Sequence, residues 1–141
     1  MRDAVFVDAN YWTAILNPKD ALHARAKLLS EKYGKGRMVT TEMVLVEVFS
    51  YLCSYGTHIR SAVVALERTL RTDPTIELIP QTRLQFRDAS ALYGQRLDKS
   101  WSLVDCASFI AMEQRGLSDA LTYDEHFQQV SFRALLREEL G

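Results

Sequence analysis

Ala4-Val5-Phe6-Val7-Asp8-Ala9-Asn10 is the stretch that decides the fold. Four consecutive apolar residues read as a short strand buried on both faces, and the aspartate that closes it leads into the helical run Tyr11–Leu16. Strand, polar closing residue and helix then recur along the chain.

Working outward, Asn17-Pro18-Lys19-Asp20 is a loop, and Asp20 is expected to cap a helix carrying Leu22, Ala26, Leu29 and Tyr33 until Gly34 and Gly36 end it. Arg37–Thr40 is a second strand, and Thr41 caps a helix that runs to about Tyr55 and stops at Gly56. Thr57 caps the next helix, with Val63, Leu66 and Leu70 on one face, and Asp73-Pro74 breaks it. Thr75–Ile79 is a third strand closed by Pro80. The helix from Gln81 to about Leu97 should turn Leu84, Ala91 and Leu92 inward. Ser102–Arg115 is a helix ended by Gly116, Leu117–Thr122 a fourth strand, Val130–Phe132 a fifth, and Ala134–Leu140 a terminal helix.

This alternation predicts an α/β fold over one domain, residues 1–141, with a mainly parallel central sheet of four to five strands covered by helices on both faces. In such folds the functional crevice lies beyond the carboxyl ends of the strands. Asp8 follows strand one, Asp124 follows strand four, and the Thr40-Thr41 turn after strand two opens the helix bearing Glu47.

Composition narrows the classes of function. Hydrophobic content of 48% with 25% charged residues describes a globular chain, not a disordered one. No apolar run approaches the ~18 residues of a membrane span. Met1-Arg2-Asp3 leads into only four apolar residues before Asp8, which argues against a secretory signal and for the cytoplasm. Cys53 and Cys106, both expected in helices, make neither a disulfide framework nor a zinc site and read as small buried hydrophobes. His23, His58 and His126 form no metal pair and read as ordinary surface or packing residues. There is no Walker loop, no Gly-x-Gly-x-x-Gly and no nucleophile elbow. A net charge of −1 leaves nucleic acid open, because Lys19, Arg25, Lys27, Lys32, Lys35 and Arg37 crowd one stretch. That run is a solvated helix face unless it folds beside the acids.

Four acids stand where their neighbours are apolar: Asp8, Glu47, Asp105 and Asp124. A buried carboxylate is costly without a partner, converging carboxylates repel one another, and a divalent cation relieves both. Asp8 alone reads equally as a helix cap. Glu47, between Met43-Val44-Leu45-Val46 and Val48-Phe49, is apolar-flanked nearly all round its helix and points to a functional role. Ser102-Leu103-Val104-Asp105 has capping-box spacing, so on its own Asp105 reads first as a helix cap and only then as a ligand. Asp124 falls at the carboxyl end of its strand, whereas Asp119 precedes or opens it.

Val5-Phe6-Val7-Asp8-Ala9-Asn10, Thr40 to Val48, Trp101 to Phe109 and Ala120 to Phe127 together resemble the PIN-domain ribonucleases, and within them the VapC-like toxins of bacterial toxin–antitoxin pairs. The resemblance covers essentially the whole chain and implies a three-layer α/β/α fold that cuts RNA hydrolytically with Mg²⁺ or Mn²⁺. By motif position, Asp8, Glu47 and Asp105 correspond to the core acids and Asp124 to a fourth. Asn10, Thr41 and Ser102 correspond to the supporting polar positions. Asp8 and Asp105 are expected to bind metal most directly and Glu47 and Asp124 to bind it or orient its water, leaving 5′-phosphate and 3′-hydroxyl ends. Lys99, Lys32, Lys35 and Arg37 are candidate phosphate contacts, and Trp101 is a core residue before it is a stacking platform. The resemblance further implies a neutralising antitoxin and a homodimer, while the lack of a long apolar run speaks against a membrane partner. Two rivals stand beside this reading. One is a catalytically silent PIN-like interaction module. The other is an aspartyl phosphatase, against which Asp8-Ala9-Asn10 lacks the second aspartate of an Asp-x-Asp pair.

Overall fold

The computed structural model describes residues 4–139. β1 (Val5–Val7) is wholly buried, as its unbroken apolar sequence requires. It lies at the centre of five parallel strands, with β2 (Met38–Thr41), β3 (Ile76–Ile79), β4 (Asp119–Leu121) and β5 (Arg133–Ala134), in the order β3-β2-β1-β4-β5. Phe6 stands between Val39 on one side and Ala120 on the other, all three buried.

The chain steps outward from β1 to β2 to β3, then crosses back to place β4 on the opposite flank of β1. Right-handed crossovers therefore put the connections of the two halves on opposite faces. α1 (Ala9–Leu16), α2 (His23–Tyr33), α3 (Glu42–Tyr51) and α4 (Thr57–Thr72) pack among themselves as one layer. α5 (Arg83–Gln95), α6 (Leu103–Gln114) and α7 (His126–Gln129) form the other. The switch in direction falls between β1 and β4, so a crevice opens where those two strands end. Among the described residues no helix is long and apolar enough to cross a membrane.

Several local expectations shift. Asp20 does not cap α2; its Oδ1 accepts from Leu22 N at 2.8 Å in the preceding turn, and the helix starts at His23 without a side-chain cap. α3 ends at Tyr51 rather than Tyr55, so Cys53 sits exposed in a turn and not in a helix. Gly56, at φ +94°, is itself the N-cap of α4, which makes Thr57 the first helical residue; few other residues adopt that backbone without strain.

Leu84 is 68% exposed and Ala91 is also exposed, because small Ala89, the one fully buried residue of α5, sets the phase in which that helix packs on α6. Val130–Phe132 form a turn with Ser131 at φ +69°, and the fifth strand follows at Arg133–Ala134. The expected terminal helix is a single 3₁₀ turn, Leu135–Arg137. Leu140, and the Met1–Asp3 stretch read against a signal segment, lie outside the described residues.

Candidate active site

Asp8 closes β1 and caps α1, its Oδ1 accepting from Ala9 N at 2.8 Å and its Oδ2 from Thr122 Oγ1 at 2.8 Å. Thr122, fully buried just past β4, accepts in turn from Asp124 N at 3.0 Å and Asn10 Nδ2 at 3.4 Å. Asn10 Oδ1 accepts from Tyr123 N at 3.1 Å. The carboxyl ends of β1 and β4 are thus stitched together by side chains, with Thr122 at the centre.

Asp105 satisfies both of its readings. Ser102 Oγ accepts from Asp105 N, and Asp105 Oδ2 accepts from Ser102 N, each at 3.0 Å, completing a capping box at the start of α6. The same carboxylate is buried and lines the cleft. Thr41 caps α3 through a 3.0 Å bond from Val44 N and does not itself line the cleft. Its contribution is to start the helix that carries Glu47 there. α3 is not apolar-buried all round: Met43, Val44 and Val48 are inside, while Val46, Phe49 and Tyr51 are exposed.

Asp8, Glu47, Asp105 and Asp124 all line one cleft of about 810 Å³, together with Asn10 and Ser102. No lysine or arginine lines it among the described residues. Burial is the main reason the Asp8 carboxyl is pushed up to about 6; hydrogen bonds from Thr122 and Ala9 oppose it, and the charges of Asp105 and Asp124 add to it. Glu47 is pushed up to about 7, first by burial and then by Asp8, Asp105 and Asp124, with no hydrogen bond to offset them. Oxygen donors at high negative charge are the set a hard divalent cation takes, so these residues fit such a cation.

His126 is where the sequence reading fails. It is no ordinary surface residue: its Nδ1 lies 3.0 Å from Asp105 Oδ2 and 3.2 Å from Asp124 Oδ1, and its backbone N donates to Asp124 Oδ1 at 2.8 Å. Burial works against the imidazolium, but the Asp105 hydrogen bond and the surrounding acid charges outweigh it and raise the histidine's pKa. Thr122 was missed as well. The available signal was Thr122, Asp124 and His126 at every second position after a strand, blurred by the charged Glu125 between the last two.

The basic candidates separate. Lys32, Lys35 and Arg37 precede β2 and therefore lie at the amino edge of the sheet, away from the acids. Lys99 does not line the cleft: it stands one residue before the lining residue Ser100, and its side chain borders a separate small pocket with Arg96 and Trp101, Nζ 6.0 Å from the Trp101 ring. Trp101 is core, 5% exposed, and donates to Gln129 Oε1 at 2.8 Å. Asp98 pairs with Arg96, and Asp119, opening β4, pairs with Arg133.

An acidic cleft at the switch point of a five-stranded parallel sheet is the arrangement of a PIN domain, and residues 5–133 match that family's model; the chain belongs to the PIN-domain family. Within it the chain is homologous to the 23S rRNA-specific endonuclease VapC20 of Mycobacterium tuberculosis. It is 25% identical over 131 residues to the sequences from strains CDC 1551 / Oshkosh and ATCC 25618 / H37Rv, spanning 91% of this chain and 95% of each relative. The crystal structure of M. tuberculosis VapC20, a sarcin-ricin loop cleaving toxin, matches with a TM-score of 0.81 at 25% identity, covering 92% of this chain and 97% of that one.

Proposed function

We propose that residues 1–141 act as a single-domain, metal-dependent endoribonuclease, the toxin of a toxin–antitoxin pair, leaving 5′-phosphate and 3′-hydroxyl ends. The observation that carries this reading is the convergence of Asp8, Glu47, Asp105 and Asp124 in one cleft with no lysine or arginine lining it among the described residues. Homology to an RNA endonuclease over nearly the full length of both chains supports it.

Asp8 and Asp105 would hold Mg²⁺ or Mn²⁺ most directly, since each is buried and held by hydrogen bonds through its own helix start. When bound, such a cation polarises a phosphate oxygen and acidifies a water molecule. Glu47, which accepts no hydrogen bond among the described residues, is free to orient the attacking water and take its proton. Asp124 completes the ring of acids from the β4 side. Thr122 and Asn10 hold Asp8 and the Tyr123 backbone in register, so the acids need little rearrangement when RNA arrives.

Lys99, one residue before the cleft-lining Ser100, would supply a phosphate contact, giving RNA affinity a salt-dependent part. The exposed apolar side chains Val46, Phe49 and Tyr51 of α3 and Phe86 and Tyr93 of α5 support the two partner expectations, a second copy of the chain and an antitoxin. A basic side chain of the antitoxin would neutralise the acidic cleft. The protein would act in the cytoplasm, where such RNA is found.

The test is incubation of purified, antitoxin-free protein with total bacterial RNA and Mg²⁺ or Mn²⁺, followed by mapping of new 5′-phosphate ends. The sarcin-ricin loop of 23S rRNA is the first site to inspect, because it is the target of the relative. Discrete ends lost with chelator and with Asp105→Asn establish the nuclease. A folded protein that yields no ends in any metal overturns it in favour of a silent interaction module.

A further inference from the structure

His126 reaches the acidic cleft from the first residue of α7 and spans carboxylates carried by two different elements. One oxygen of Asp105, one of Asp124 and a ring nitrogen of His126 lie within 4.8 Å of one another. A carboxylate offers only acceptors, so a ring nitrogen 3.0 and 3.2 Å from two carboxylate oxygens serves them as a donor, which is the Nδ1–H tautomer of His126. Asp105 Oδ2 then receives two donors, Ser102 N and His126 Nδ1, each at 3.0 Å. Asp124 Oδ1 receives the His126 backbone N–H at 2.8 Å and faces the same ring nitrogen at 3.2 Å. Ser100 Oγ, 3.3 Å from Nε2, fixes the ring from its far side. With Oδ2 engaged twice, Asp105 is left with Oδ1 as its open oxygen.

We propose that His126 is a positioning residue of the metal centre: through Nδ1 it draws Asp105 and Asp124 together and decides which Asp105 oxygen is offered to the cation. The inference rests on the metal-dependent reading of the cleft and assigns His126 no bond to the ion. A protonated Nδ1 has no lone pair to give, and hard cations favour the oxygens around it. Donors that orient a ligating carboxylate are worth about ten- to a hundredfold in metal affinity.

Mn²⁺ titration of the full chain, followed by the electron paramagnetic resonance of free Mn²⁺, reads this without any RNA. His126→Ala should weaken Mn²⁺ binding by about ten- to a hundredfold. His126→Asn, whose side-chain amide N–H falls near the place of Nδ1, should restore most of it, whereas a purely structural defect would not be rescued this way. Circular dichroism melts check that each variant is folded. Pulsed resonance on the Mn²⁺-loaded wild type should show no directly bound nitrogen. A nitrogen coupling that vanishes in His126→Ala overturns the proposal by making His126 a ligand. Unchanged affinity in His126→Ala overturns it too, and tighter binding would show that the ring obstructs the ion. These failures differ from failure of the nuclease reading, which is a wild type that binds Mn²⁺ and cuts no RNA.

Discussion

Thr122 Oγ1 donates a 2.8 Å hydrogen bond to Asp8 Oδ2, joining residues 114 positions apart in the chain. The bond is buried, and the same hydroxyl oxygen accepts from Asp124 N and Asn10 Nδ2. Thr122→Val keeps the shape and removes all three interactions. Because the Asp8 carboxylate and Asp124 N–H then lose a buried partner, unfolding free energy should fall by about 1–3 kcal/mol. Metal-supported cleavage should fall about ten- to a hundredfold. Denaturant titration and an RNA cleavage assay check both, and wild-type cleavage in the variant would remove Thr122 from the site.

Glu47→Gln should separate stability from activity. The charge that burial and three neighbouring acids disfavour disappears, so the chelated variant should be more stable at pH 8 by about 1–2 kcal/mol after allowance for partial exposure. Cleavage should drop by about two orders of magnitude, in the range of losing an acid–base group. A variant that is both less stable in chelator and fully active contradicts this placement.

The pH dependence of the metal-free protein follows from the same groups. Asp8 and Glu47 have folded pKa values raised to about 6 and about 7 from 3.8 and 4.5. A raised folded pKa means that the protonated form is preferred in the native state. Its stabilisation is complete below the unfolded value and is lost as pH rises through the folded one. His126, also raised, acts in the same direction. With a chelator present, the melting temperature should fall between about pH 5 and about pH 8, the Asp8 contribution being about 3 kcal/mol at most. Millimolar Mg²⁺ or Mn²⁺ should flatten the curve, and calorimetry that shows rising stability in chelator over that window would contradict the charge balance described here.

Lys99→Ala should raise the KM for RNA and flatten the slope of log affinity against log salt by about 1. The triple change of Lys32, Lys35 and Arg37 to Ala should leave cleavage within about twofold, because those residues sit at the opposite edge of the sheet. A salt series on both variants distinguishes the two edges, and a large loss in the triple variant would move the RNA path.

The fold was legible because its signals are local. A strand buried on both faces must be continuously apolar, which Val5-Phe6-Val7 is, and Thr41 and Ser102 cap helices through bonds only three residues long. The boundaries that slipped depend on what packs against them. α5 turns on Ala89 rather than Leu84 because a small residue permits close approach to α6. His126 was misread because its partners are Asp105, 21 residues away, and Asp124, whose role as a site acid depends on β4 lying beside β1.

By itself the sequence determined the strand buried on both faces, Val5-Phe6-Val7, the order of strands and helices, and which four carboxylates stand beside apolar neighbours. It did not determine the phase or the end of each helix, so Leu84, Ala91 and Cys53, expected inside, are exposed. Periodicity and capping act within a few residues, so they survive without knowledge of the rest of the molecule. Only the tertiary structure decided that β4 returns to the flank of β1, since sheet order arises from crossovers between distant segments. That return sets Thr122 against Asp8 and His126 between Asp105 and Asp124. It also leaves the Lys32–Arg37 cluster at the far edge, because a parallel sheet gathers its carboxyl ends on one side and its amino ends on the other.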